Sequence, residues 1–277
     1  ATEKCWRNGF GIWATLCPII GSSTWVPPWE RTSGPTLAEL LTWDTDPLNQ
    51  RTKISSPGED RGEINLEKRT VIYYQDELND EFSLAQITPK PIDGTYPYDQ
   101  TSLFKKFTHF FWYRMVATPI AFLYTKLVFQ HRVVNGEILK QYGDTGYFMY
   151  GNHTQDVADA FIPNLFTLKK DTYVIVHPNN VSMPVLGKIT PSLGAIPLPD
   201  DRAAYRNFIK IIEKRISQRC SVVIYPEAHI WPYYTGIRPF PDASFYYPIK
   251  FNVPTFCFTN TYQKRRFSSK PKIVTYV

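Results

Sequence analysis

The stretch Gly151-Asn152-His153-Thr154-Gln155-Asp156-Val157-Ala158-Asp159 decides how this chain is read. It follows an apolar strand ending near Gly151 and opens a segment, 154–168, expected to be helical. A strand passing directly into a helix is the repeating joint of α/β domains, and it puts His153 at a strand's C-terminal end, where open α/β sheets hold their ligands. A histidine with a carboxylate a few residues on is a general-base unit: the carboxylate fixes the tautomer and stabilises the imidazolium. Two carboxylates qualify. At about 100° per residue on a regular helix, Asp156 lies about 60° from His153 and Asp159 about 120°. On a regular helix Asp156 is the nearer, a turn before the helix would bring Asp159 in, and both are kept as candidates.

Working outward, strands and helices alternate. Tyr173–His177 reads as a strand and Ala203–Gln218 as a helix capped by Asp200-Asp201, with Phe208, Ile211, Ile212 and Ile216 on one face. Ser221–Tyr225 is a short β-branched strand running into Pro226-Glu227, so Glu227 should leave the same sheet edge as His153; Val253–Thr259 is a further strand. The expected fold is α/β, a largely parallel sheet flanked by helices. Upstream, Leu103–Phe129 is aromatic-rich with Pro119 in its middle, which predicts one kinked helix or two short ones. Val71–Tyr74 reads as a strand followed by a polar linker to about Asp99. Residues 1–68 hold five of the seven tryptophans among Pro, Ser and Thr without a period, and read as an irregular extension with no assigned role. The division expected is therefore 1–68 extension, 69–132 linker and aromatic helical segment, and 133–277 catalytic domain.

Composition narrows the function. The 277 residues suffice for a real core, and the formal charge of +6 suits an acidic partner such as a phosphorylated substrate or an anionic membrane face. The basic residues are scattered without a recognition motif, so nucleic acid is not an expected partner. Four cysteines without a C-x-x-C pair form neither a zinc motif nor a disulfide framework, which points to a reduced, cytosol-facing location. The apolar run Met115–Tyr124, between Arg114 and Lys126, is half the length of about twenty residues that a spanning helix needs, leaving an in-plane contact. With Ala at position 1 and Val277 inside an apparent strand, the chain reads as processed or as a piece of a longer protein, truncated at its C-terminus.

Taken in order, these motifs resemble the glycerolphosphate and lysophospholipid acyltransferase superfamily over roughly Val133 to Val277. Asn152-His153 with Asp159 matches the family's Asn-His…Asp block, although five residues rather than four intervene. Gly194-Ala195-Ile196-Pro197 stands where its glycine block belongs, Tyr225-Pro226-Glu227 opens its Pro-Glu block, and Asn252-Val253-Pro254-Thr255-Phe256-Cys257 matches its last strand. Thr235-Gly236-Ile237-Arg238-Pro239-Phe240 and Ala243-Ser244-Phe245 resemble the run between them. The chain departs at Ala228-His229-Ile230, where the family has Gly-Thr-Arg, and lacks an Arg directly after the glycine block; the next is Arg202.

The resemblance implies transfer of a fatty acyl group from acyl-CoA or an acyl carrier protein to a hydroxyl of a glycerolipid or glycerol-phosphate-like acceptor, without metal or prosthetic group. His153 would be the base, with Asp159 or Asp156 behind it, and backbone N–H groups after His153 would hold the oxyanion. Glu227, with Asn152, Gly194 and Arg238, would meet the acceptor, and His229 would replace the missing donor. Phosphate would meet Arg202, Arg206, Arg238 or Lys264-Arg265-Arg266. The protein is then expected on the cytoplasmic face of a membrane, peripherally, in phospholipid biosynthesis, with Phe107–Tyr113 at the membrane surface or guiding an acyl chain. Two rivals stand beside this reading. One is a metal-dependent hydrolase using His153, Asp156, Asp159, Glu227 and His229, which no compact ligand spacing backs. The other is a non-catalytic lipid-binding relative.

Overall fold

Tyr147–Gly151 is buried along its whole length, as a strand with neighbours on both sides and layers on both faces must be. The computed structural model describes residues 73–82, 87–99, 102–155, 157–167 and 170–277. The chain divides into two units, Ala1–Asp60 and Arg61–Val277; the described residues all belong to the second. The extension expected over 1–68 lies outside them, as do Val71 and Ile72.

Among the described residues the strands β1 (Arg132–Val134), β2 (Tyr147–Gly151), β3 (Thr172–Val176), β4 (Ala195–Pro197), β5 (Ser221–Ile224), β6 (Thr255–Arg265) and β7 (Ser268–Tyr276) make a seven-stranded sheet ordered β1-β7-β6-β2-β5-β3-β4. β6, β2, β5, β3 and β4 run parallel. β7 returns antiparallel to β6, and β1 pairs parallel to β7, so these two run the other way. The fold is α/β, as the alternation of strands and helices predicts. β1 reaches only Val274–Tyr276 of β7, leaving the earlier part of β7, with Lys270, Pro271 and Lys272, at the sheet's border.

The helices are α1 (Leu103–His109), a π-helical turn (Phe110–Ala117), α2 (Thr118–Phe129), α3 (Ile162–Phe166), α4 (Asn179–Ser182), α5 (Leu186–Ile189), α6 (Arg202–Ser217) and α7 (Tyr246–Phe251). Successive strand residues point to opposite faces, and the core divides accordingly. Phe148, Val222 and Ile224 meet Phe208, Ile211 and Ile212 of α6 and the rings of Tyr247 and Phe251 in α7. Tyr147, Met149, Val174 and Val223 meet Leu139 and Phe166 on the other face. Each large side chain so buried contributes about 1.5–3 kcal/mol relative to exposure. The two aspartates before α6 divide their work. Asp201 Oδ1 caps the helix by accepting from Ala204 N at 2.6 Å, and Asp200 Oδ2 accepts from Ile92 N at 2.6 Å.

Three details differ from expectation. The stretch read as a linker is partly core: Ile92 is 1% exposed, and Tyr98 packs on Phe208 while its hydroxyl donates to Pro197 O at 2.9 Å. Tyr73 and Tyr74 are exposed and outside any strand. The helix expected over 154–168 is a turn followed by the five residues of α3, because the Asp159 carboxylate takes the N–H groups of Thr154 and Gln155, an arrangement that competes with helix formation. From Leu103 to Phe129 the helix is continuous, and Pro119 is accommodated by the π-turn before it. There Thr118 N bonds to Tyr113 O five residues back, and Thr118 Oγ1 donates to the same carbonyl at 2.7 Å.

Candidate functional site

β2 and β5 are neighbours, and the chain leaves them for opposite faces of the sheet, toward α3 after β2 and toward α7 after β5. Such divergence is a topological switch point, where the C-terminal strand ends border a crevice. His153 and Glu227 stand just beyond those two ends. The exit from β2 requires Gly151, because a Cβ there would fall 2.2 Å from Phe258 Cζ. Asn152 then clasps β6: its Nδ2 donates to Asn260 O at 3.0 Å, and its Oδ1 accepts from Asn260 N at 2.8 Å. Asn152 therefore holds the strand end rather than facing a ligand.

His153 Nδ1 lies 3.0 Å from Asp159 Oδ2. A carboxylate oxygen accepts, so Nδ1 carries the hydrogen and Nε2 is the basic nitrogen. The His153 side chain is 18% exposed and that of Asp159 is fully buried, so solvent or substrate reaches the imidazole and not its partner. Asp159 Oδ2 also accepts from Thr154 N at 2.7 Å and Gln155 N at 2.8 Å, and Oδ1 accepts from Asn260 Nδ2 at 2.9 Å. Four donors thus fix this carboxylate, as a buried charged group requires. Two of the backbone N–H groups after His153, the set expected to hold an oxyanion, are taken by Asp159. The Tyr225 ring stacks on His153 with centroids 4.5 Å apart, and its hydroxyl donates to Asp159 O at 2.5 Å. Burial drives the Tyr225 phenol well above its ordinary range, so it stays a protonated donor.

The network extends behind Asp159. Asn260 Oδ1 accepts from Thr275 Oγ1 at 2.6 Å, and Thr275 Oγ1 accepts in turn from His131 Nε2 at 2.9 Å. Burial, followed by the nearby Lys126 charge, pushes His131 down to about 4, which keeps it neutral at the end of the chain.

Glu227 and Arg238 form a buried pair, 4% and 2% exposed. Arg238 Nη2 lies 3.4 Å from Glu227 Oε2 and also donates to His229 O, while its guanidinium sits 4.6 Å over the Trp231 ring. Glu227 Oε2 further accepts from His153 N at 3.2 Å. Both residues were expected to contact an acceptor; in this structure they tie the loop after β5 to the loop after β2. His229 turns away to Glu81, Nδ1 to Oε2 at 2.8 Å. Gly194 is remote, at the N-terminal end of β4 with φ +93°, where a Cβ would come within 2.6 Å of Thr172 O. Arg202 and Arg206 are exposed on α6, and Arg265 binds Val128 O at 2.6 Å. Asp156 lies outside the described residues. Among those residues no three His, Cys, Asp or Glu side chains are grouped as metal ligands.

The structure thus brings together His153, Asp159, Glu227, Arg238 and Asn152, and adds Asn260 and Tyr225, which sequence reasoning missed. For Asn260 a signal existed: along β6 the positions of Phe256, Phe258, Asn260 and Tyr262 share one face, and a polar amide in that buried row needs a partner. A scan against models of known protein families finds no match, and a search of curated proteins likewise finds none.

Proposed function

We propose that this chain is an O-acyltransferase acting at the cytoplasmic face of a membrane in phospholipid metabolism, with an acyl thioester (acyl-CoA or acyl carrier protein) as donor and a lipid-type hydroxyl as acceptor. The observation that carries this reading is the His153 Nδ1–Asp159 Oδ2 pair at 3.0 Å beyond the C-terminal end of a parallel strand, within a motif order that resembles the acyltransferase superfamily. In the mechanism that follows, His153 Nε2 takes the acceptor hydroxyl's proton while that oxygen bonds to the thioester carbonyl carbon. Asp159 supports the imidazolium. The tetrahedral intermediate collapses with cleavage of the C–S bond, and the thiolate leaves with the proton returned by His153. Glu227 acts in this scheme by holding the backbone of His153. Arg238 is already paired, so an acceptor phosphate would be met elsewhere; Arg202 is exposed at the start of α6, which follows the C-terminal end of β4.

The inward commitment of Asn152, Glu227 and Arg238 also favours a second reading, a lipid-binding relative that does not transfer acyl groups. Thiol release from a panel of acyl-CoAs, with and without glycerol phosphate and lysophospholipid acceptors, separates the two. With a carrier-protein donor as a parallel arm, acceptor-dependent release should fall at least about a hundredfold in His153→Ala with the melting temperature unchanged. Turnover retained by that variant would sink the assignment, and lipid binding without release from any donor would support the second reading.

A further inference from the structure

The polar row behind Asp159 has one chemically allowed direction. An ionised carboxylate only accepts, so the Asn260 atom that faces Asp159 Oδ1 at 2.9 Å is the amide nitrogen. The amide oxygen then faces Thr275 and accepts its hydroxyl hydrogen at 2.6 Å. That hydrogen being spent, Thr275 Oγ1 meets His131 Nε2, 2.9 Å away, as an acceptor. Every hydrogen bond in the row therefore points toward Asp159, whose other oxygen, Oδ2, takes the His153 Nδ1 hydrogen at 3.0 Å. Turning the Asn260 amide over would set its oxygen against the carboxylate.

The row is also tied to the strand end from which His153 hangs. Asn260 and Thr275 are directly opposed in the β6–β7 hairpin, so their side chains stand on one face. The Asn260 backbone is clasped at both N and O by Asn152, the residue before His153. His153 Nδ1, Thr154 N and Gln155 N converge on Asp159 Oδ2, whereas Asn260 holds Oδ1. A carboxylate gripped at one oxygen can still turn about its Cβ–Cγ bond; gripped at both, its plane is set. Asn260, Thr275 and His131 are 2%, 0% and 2% exposed. Burying three polar side chains costs stability that apolar ones would not. What the polar row adds is orientation of the acid behind the base.

We propose that Asn260 is a positioning residue for the His153–Asp159 pair, with Thr275 setting the direction of its amide. Together they hold the carboxylate plane so that His153 keeps its hydrogen on Nδ1 and its lone pair on Nε2. Both are buried, so they act through Asp159 rather than on a reactant. The kinetic side of this inference rests on the acyl-transfer reading above, and the tautomer side does not.

Two readouts on the full chain test it. One is the tautomer of His153, by nitrogen NMR of the histidine rings at a pH where the ring is neutral. The other is the split between kcat and KM in acyl transfer. Wild type should show a single form, protonated at Nδ1. Asn260→Leu should mix in the Nε2–H form and lower kcat about tenfold, with KM changed less than about twofold. Thr275→Val keeps the β-branched shape and removes the hydroxyl. It should act in the same direction with a loss of about threefold, and Thr275→Ser should restore both readouts. Should Asn260→Leu fold poorly, the Thr275 variants carry the test. A wild-type tautomer and kcat in Thr275→Val, whatever its melting temperature, would overturn the proposal and leave the row purely structural. A larger loss in Thr275→Val than in Asn260→Leu would do the same, because Thr275 reaches Asp159 only through Asn260. If wild-type protein turns over no donor, the acyl-transfer reading fails by itself. A tautomer shift in Thr275→Val would then still support the positioning role, and its absence would overturn it.

Discussion

At the C-terminal ends of the parallel strands Asp159, Glu227 and Arg238 are buried with partners on several sides, while at the N-terminal ends Lys105, Lys106, Asp171 and Arg215 stay partly open to solvent. Burial forces the first group to be satisfied internally. Their work is to hold geometry, and the His153 imidazole, 18% exposed, is the member of the network that solvent reaches. The second group stays hydrated, so it costs little to keep. Lys170 is the exception at that end: it is buried and spends its ammonium on the carbonyls of Gly143, Thr145 and Arg219 at 2.7–2.9 Å. Charged groups are thus satisfied by the protein at one end of the sheet and by solvent at the other.

That contrast breaks or sharpens on three measurements. The largest effect is expected from Glu227→Ala, which strands the Arg238 guanidinium in the interior. Denaturant unfolding should show a loss of about 3–5 kcal/mol, and a loss under 1 kcal/mol would mean that the pair is not the pin described above. Next is the pH dependence of His131. Its folded value of about 4 lies below the ordinary 6.5, so the unfolded chain binds the extra proton first as pH falls. The contribution is complete above about 6.5 and is lost as pH drops toward 4, by about 3 kcal/mol in all. His131→Gln should flatten this window in denaturation curves taken across it. The smallest effect belongs to the open end. Asp171→Asn, removing a half-exposed pair with Arg114, should cost under about 1 kcal/mol, and a larger loss would erase the distinction between the two ends.

The same contrast explains what the sequence displayed. β2, β3, β5 and α6 are apolar runs or amphipathic periods with a cap, and such patterns are local. The His153–Asp159 pair was legible because both residues lie in one motif, although the turn that joins them was not. A regular helix separates them by about 120°, and it took the Thr154 and Gln155 amides folding onto the carboxylate to close that angle. The Glu227–Arg238 pair was not legible as a pair. An acid and a base eleven positions apart are brought face to face by a loop containing two non-glycine residues at positive φ, Ala228 at 60° and Tyr233 at 61°, and no periodicity encodes such a path. The 87–99 segment escaped for a related reason: Ile92 and Tyr98 are buried from extended chain among Pro, Asp and Gly, where neither a period of two nor one of 3.6 is available.

The border of the sheet at β7 has a consequence for self-association. β1 pairs with three residues of that strand, and a long unpaired strand edge is a template on which another chain's strand can add. Among the described residues, the part of β7 with no strand on its outer side carries Lys270-Pro271-Lys272. Proline has no N–H to offer a newcomer, and the two lysines would bring like charges together if a second copy approached in register. Both features disfavour the addition of a further strand beside the hairpin that supplies Asn260 to the His153 network.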